Sequence, residues 1–351
     1  FLAPLIPADT GRAESAGIQL FVASDRCLAC HNGLITPSGQ DVSIGFQWQS
    51  SMMAHASRDP YWQASIRREA LMHPEAEKEI QDECSACHMP MSRYQAKVRG
   101  DKGKVFAHLP VLPARGVQAG LAADAVSCAM CHQIRAGNLG TEESFTAGFQ
   151  VDTRTPLGKR PVFGPFDVDS GRRQVMRSAS RMVPSQSKHL QKSELCASCH
   201  TLYTHTRGPD GQVIGTLPEQ MPYLEWRHSS YAQRQHCQSC HMPQLKSPMA
   251  ITSVLGQPRE NFSHHVFRGG NFFMLNLLNR HRADLKVTAL SQNLTETMRN
   301  TKSFLQTQAA DVSIGAAKIE NDRLETVVEI VNYAGHKLPT AYPSRRAWLH
   351  F

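Results

Sequence analysis

Ten cysteines fall into five pairs of one spacing, and histidine follows every pair at once. The stretches are Cys27-Leu28-Ala29-Cys30-His31, Cys84-Ser85-Ala86-Cys87-His88, Cys128-Ala129-Met130-Cys131-His132, Cys196-Ala197-Ser198-Cys199-His200 and Cys237-Gln238-Ser239-Cys240-His241. No cysteine is left over. Histidine is 17 of 351 residues, so five independent matches at that position would arise by accident on the order of once in several million. A chain patterned this way has to fold around whatever the motifs hold.

Three chemistries compete for paired thiols. Adjacent C-x-x-C disulfides strain easily and give the following histidine no purpose. Zinc and iron–sulfur centres usually take two C-x-x-C pairs each, and five pairs do not divide evenly. Covalent c-type haem attachment uses C-x-x-C-H itself. Each sulfur forms a thioether with a vinyl group, two intervening residues turn the chain across that span, and the imidazole is aimed under the ring towards iron. This assigns five haem c groups, with Cys27, Cys30, Cys84, Cys87, Cys128, Cys131, Cys196, Cys199, Cys237 and Cys240 as attachment points. His31, His88, His132, His200 and His241 are the proximal ligands. Such attachment is made outside the cytoplasm, so the expected location is extracytoplasmic: periplasm, outer cell surface or extracellular.

With these motifs, two Cys-His-Met-Pro sequences (Cys87 to Pro90, Cys240 to Pro243) and the C-terminal AGHKLPTAYPSRRAWLH, the chain resembles the multihaem c-type cytochromes, as a pentahaem member. The resemblance implies a mostly α and irregular fold organised around stacked haems. Electrons would pass along the haems between a donor and an acceptor protein.

The formal charge of +8 would ordinarily suggest an acidic partner. Ten propionates would bring it to about −2 with ferrous iron and roughly +3 with ferric, so it is no argument for nucleic acid. No apolar run approaches the ~18 residues needed to span a bilayer. The opening FLAPLIPADT reads as a mature or trimmed N-terminus.

Four regions follow. Residues 1–136 carry the first three motifs, and 137–185, with Pro156, Pro161, Gly164 and Pro165, read as an irregular excursion. Residues 186–310 carry the last two motifs with a helical extension. Residues 311–351 read as a β-hairpin or sandwich-like segment that continues past Phe351, with RAWLHF as its next strand. Asp59-Pro60 caps a helix, Pro74 starts another, Asn271 caps FFMLNLLNRHR, and 293–309 is helical. Trp48-x-x-Ser51-x-Met53 after the first motif matches Trp226-x-x-Ser229-x-Tyr231 after the fourth. That suggests a repeat relating motifs one and two to four and five.

Twelve further histidines are available for second axial ligands. His336, in Gly-His-Lys-Leu-Pro-Thr, and His265, in SHHVFRGGN with His264 as its rival, match patterns of the resembling proteins. His108, His189 and His228 follow. In the first Trp-x-x-Ser segment either Met53 or His55 is expected to be axial, and methionine would raise that haem's potential. Met52, Met89 and Met242 read as packing; His73, His205, His236 and His281 are in reserve.

The leading function is electron transfer. One alternative is an oxidoreductase acting on a small nitrogen or sulfur compound at an open-site haem. The resembling pentahaem nitrite reductases often use lysine in place of a motif histidine, and here all five motifs end in histidine. The other alternative is a homo-oligomer, as the subunit of a polymeric cytochrome filament.

Overall fold

The computed structural model describes residues 19–111 and 116–350, so the N-terminal FLAPLIPADT lies outside them. Helix accounts for about 38% of residues and strand for 15%. Helices therefore carry most of the regular structure, as expected, and the strands pair only two at a time.

The local rules act as the sequence implies. The Asp59 carboxylate accepts from the amides of Tyr61 and Trp62, and Pro60 opens the helix Pro60–Met72 at the one position where a missing N–H costs nothing. Pro74 breaks the chain into a tight turn, Pro74–Ala76, and the helix Glu77–His88 follows with two glutamates in its first turn. That helix runs through the second motif. Cys84, Cys87 and His88 stand at i, i+3 and i+4, on one helical face. The other motifs are wound in the same way: the amides of His31, His132 and His200 donate to the carbonyls of Cys27, Cys128 and Cys196 at 3.0, 3.0 and 2.9 Å. The spacing of two residues is thus a helical turn that delivers both sulfurs and the imidazole to one side.

In the second, third and fourth motifs residues between the cysteines face inward, whereas Ala29 and Ser239 of the first and fifth are exposed. Ala86, Ala129 and Met130 pack with Leu20, Phe21 and Leu121 in the largest apolar cluster, against which Cys87 and Cys199 also lie. A second cluster gathers Trp62, Ile66, Met89 and Val105 against Cys84. Three more form around Leu278 and Leu294, around Val42 and Phe262, and around Ala197 and Tyr223. The polypeptide therefore builds several small cores rather than one. Its accessible surface is 20,833 Å², against roughly 14,000 Å² for a folded monomer of this mass.

Two expectations need correction. The excursion 137–185 is not wholly irregular: strand Pro161–Gly164 pairs in parallel with Val183–Gln186, and the helix Ser170–Ser180 lies between them. Its polar sequence SGRRQVMRSAS has no apolar stripe, and only the cap signal of Asp169, which accepts from Arg172 N–H, marks it. Of RAWLHF, the described residues 346–350 form no strand and are irregular. The hairpin before it does form. Ala310–Ile314 pairs with Val328–Asn332 and Lys318–Glu320 with Arg323–Glu325, with Asn321 and Asp322 at positive φ in the turn. Asn271 precedes the helix Phe272–Arg280 but makes no side-chain cap, because its Oδ1 accepts from Arg345 instead. The last long helix spans Ser291–Phe304, and a wider turn follows over Leu305–Ala309. An antiparallel pair that the sequence did not suggest, Leu202–Arg207 with Val213–Gln220, follows the fourth motif.

Replacing the cap, Asp59→Ala, is expected to lower unfolding free energy by about 1 kcal/mol. Denaturant titration reads this as a lower midpoint at unchanged slope; an unmoved midpoint contradicts the capping role.

Candidate functional site

Four of the five motif histidines use Nδ1 in the same way. His31 donates to the carbonyl of Ile251 at 2.7 Å, His88 to Ala56 at 2.8 Å, His132 to Phe163 at 2.6 Å, and His241 to Arg268. A carbonyl only accepts, so the proton sits on Nδ1 and Nε2 keeps a free lone pair. None of the four carbonyls carries a sequence signal. Main-chain bonds hold them in position: Ser253 N–H donates to the Cys30 carbonyl at 2.8 Å, which fixes the Ile251 segment under the first motif. Burial lowers the pKa of His88 to about 4, and Trp62 stacks on its ring at 4.2 Å with planes 4° apart. His200 is exposed and lies beside His241 and His336.

Two motif histidines face a second histidine. The rings of His132 and His265 are 6.5 Å apart between centroids and 14° from parallel; those of His241 and His336 are 6.3 Å apart and 16° from parallel. The second rings also turn Nδ1 to a carbonyl, His265 to Ser263 at 3.0 Å and His336 to Lys337 at 2.9 Å. A metal–imidazole bond of about 2 Å puts each ring centroid roughly 3 Å from the metal, so two rings on one metal stand roughly 6 Å apart. The observed separations match that distance. Burial, followed by the nearby His132, lowers the pKa of His265 to about 3, so its imidazole is neutral near pH 7.

Gln47 separates the rivals His264 and His265. Its Oε1 accepts from His265 N–H at 2.8 Å, so its Nε2 donates to His264 Nδ1 at 2.7 Å. His264 therefore carries its proton on Nε2, the wrong nitrogen for a metal. His336 is held by an analogous anchor: the Glu225 carboxylate accepts from Lys337 N–H at 3.0 Å and from the Thr340 hydroxyl at 2.6 Å. Gln47 and Glu225 each immediately precede the tryptophan of a Trp-x-x-Ser segment. That recurrence was the available signal for both.

The other candidates differ in what surrounds them. His55 is 1% exposed, and the Gln49 main chain is the polar group set against its ring. Burial, then the Arg58 guanidinium, lowers its pKa to about 4. Met53 is half-buried at the start of the same tight turn, Met53–His55. His228 lines a cleft of about 540 Å³ with His336, Tyr231 and Asn332. His108 stands 3.3 Å from the Ser92 hydroxyl through Nε2. His189 has both nitrogens engaged, Nδ1 with the Ser187 hydroxyl at 2.6 Å and Nε2 with the Ile134 carbonyl at 2.8 Å. Met89 is buried in apolar packing. His73, His205 and His281 stand against Glu75, Glu83 and Asp284, and His236 against the Ser193 hydroxyl.

All ten cysteines are free thiols. Among the described residues no group of three or more His, Cys, Asp or Glu converges as a bare metal ion would require; a porphyrin iron asks the protein for at most two ligands. Arg160 is fully buried, donates to the Asp152 carbonyl through Nη1, and leaves Nε and Nη2 unpartnered. The Asp152 carboxylate offsets its charge in part, and a haem propionate would suit the two nitrogens left over. No helix among the described residues is long and apolar enough to cross a membrane. No protein-family model, curated protein or solved structure matches the chain.

Glu225→Ala removes two charge-assisted hydrogen bonds, each worth about 1.5–3 kcal/mol. Amide exchange at Lys337 is expected to accelerate by about ten-fold or more, while exchange in the helix Pro60–Met72 stays as it was. Equal protection of Lys337 in both proteins contradicts the anchor.

Proposed function

We propose that the chain is an extracytoplasmic electron-transfer protein carrying five covalently bound c-type haems. The observation that carries the reading is the two near-parallel imidazole pairs, His132 with His265 and His241 with His336, whose centroids stand 6.5 and 6.3 Å apart and whose Nδ1 atoms are all engaged by carbonyls. The buried, neutral His55 and the two unbonded nitrogens of buried Arg160 support it.

Haem supplies one-electron redox chemistry when bound. The residues do the rest. The ten cysteines fix position, and the carbonyl of Ile251, Ala56, Phe163 or Arg268 orients a motif imidazole and raises its basicity. His265 and His336 would supply the second ligands to the haems at the third and fifth motifs. In the first Trp-x-x-Ser segment we favour His55 over Met53, because its imidazole is buried and kept neutral by burial whereas Met53 is only half-buried. A second histidine at the third and fifth motifs favours conduction over catalysis at those two haems. Redox partner proteins stand at either end of the route.

The test is a potentiometric titration of the protein as purified, followed by electron paramagnetic resonance of the oxidised form. Five one-electron equivalents and low-spin ferric signals are expected. His265→Ala and His336→Ala should each convert one haem to high spin, and His264→Ala none. A dominant high-spin signal in the unaltered protein would favour the oxidoreductase reading instead; no redox-active equivalents at all would end the proposal.

A further inference from the structure

The order of the motifs in space differs from their order in the chain, and the arrangement contains a duplication. Four features recur. Ser24, three residues before Cys27, bonds to Asp124, just ahead of the third motif, through N–H at 2.9 Å and Oγ–H at 2.5 Å. Ser193, three residues before Cys196, accepts through Oγ from Cys237 N–H at 3.1 Å. The indole of Trp48 donates to the Val126 carbonyl, two residues before Cys128, and that of Trp226 to the Gln235 carbonyl, two residues before Cys237, at 2.9 and 3.0 Å. Gln47 and Glu225, each preceding its tryptophan, hold the segments of His265 and His336. Those histidines in turn face the third and fifth motifs.

The thiols follow the same plan. The first cysteine of motif one interacts with the first of motif three, Cys27 with Cys128, and the first of motif four with the first of motif five, Cys196 with Cys237. The two pairs meet where Ala147 N–H and Thr146 N–H, after the third motif, donate to Ser198 and Thr201 carbonyls at 2.7 and 2.9 Å. Motif two joins at the fourth: Cys87 interacts with Cys199, both lie on one apolar cluster, and Glu83 bonds to His205.

We infer that motifs one and three form one unit and motifs four and five its structural duplicate, and that the haem route runs one–three–four–five with haem two branching from haem four. This rests on the haem reading above. It replaces the repeat expected from the sequence, which paired one with two, because the tryptophan after the first motif reaches past the second motif to the third. Haem four becomes the junction, and haem two is a side branch or a second port for electrons.

An iron-edge anomalous difference map of the haem-loaded protein tests the order. Five peaks are expected. The peak beside His31 should have that beside His132 as its nearest neighbour, and the peaks beside His88 and His241 should each have that beside His200. A peak beside His88 lying closer to that beside His31 than to that beside His200 overturns the order and leaves the haem reading standing. Fewer than five iron peaks at the motifs contradicts the haem reading itself.

Discussion

An imidazole binds a metal only through a nitrogen that carries no proton, so something must hold the proton on the other nitrogen. In this chain that task falls to the main chain. Carbonyls of Ile251, Ala56, Phe163 and Arg268 accept from four motif histidines, and those of Ser263 and Lys337 from two histidines that face them. Segments outside the motifs bring those carbonyls to the imidazoles. Long connections such as Cys30 to Ser253, more than two hundred residues apart in sequence, follow from that requirement.

The same requirement accounts for the divided core. A helical turn aims both sulfurs and the histidine to one side, and the two residues between the cysteines go to the other, where Ala86, Ala129 and Met130 join apolar packing. The second and third motifs thus contribute directly to one apolar cluster. A polypeptide whose clusters stay small has little burial of its own with which to offset chain entropy. Bound porphyrins, each a large apolar surface, would bridge those clusters in the proposed protein.

What was legible in the sequence was legible for local reasons. Asp59-Pro60, Pro74 and the hairpin turn at Asn321-Asp322 act within a few residues, and the structure has them where propensity and capping rules place them. The five motifs were legible because each is a contiguous stretch wound as one helical turn. The helix Ser170–Ser180 was hidden because its exposed face is polar all round. RAWLHF looked like a strand by composition, yet nothing pairs with it. The rivalry of His264 with His265 could not be resolved from two adjacent identical residues; it turns on which atom of Gln47 points at each. The spatial pairing of the motifs was invisible for a related reason. Trp48 is followed in sequence by the second motif, and its indole bonds ahead of the third.

The claim on which all of this depends is that the ten thiols are consumed by five haems. Intact mass of the denatured protein, isolated from cells that can attach haem outside the cytoplasm, measures it most directly. The account predicts the polypeptide mass plus five haem masses, unchanged by reductant and with no thiol open to alkylation. A bare polypeptide mass would contradict it. So would one lowered only by the hydrogens lost to disulfides between neighbouring thiols such as Cys27 and Cys128.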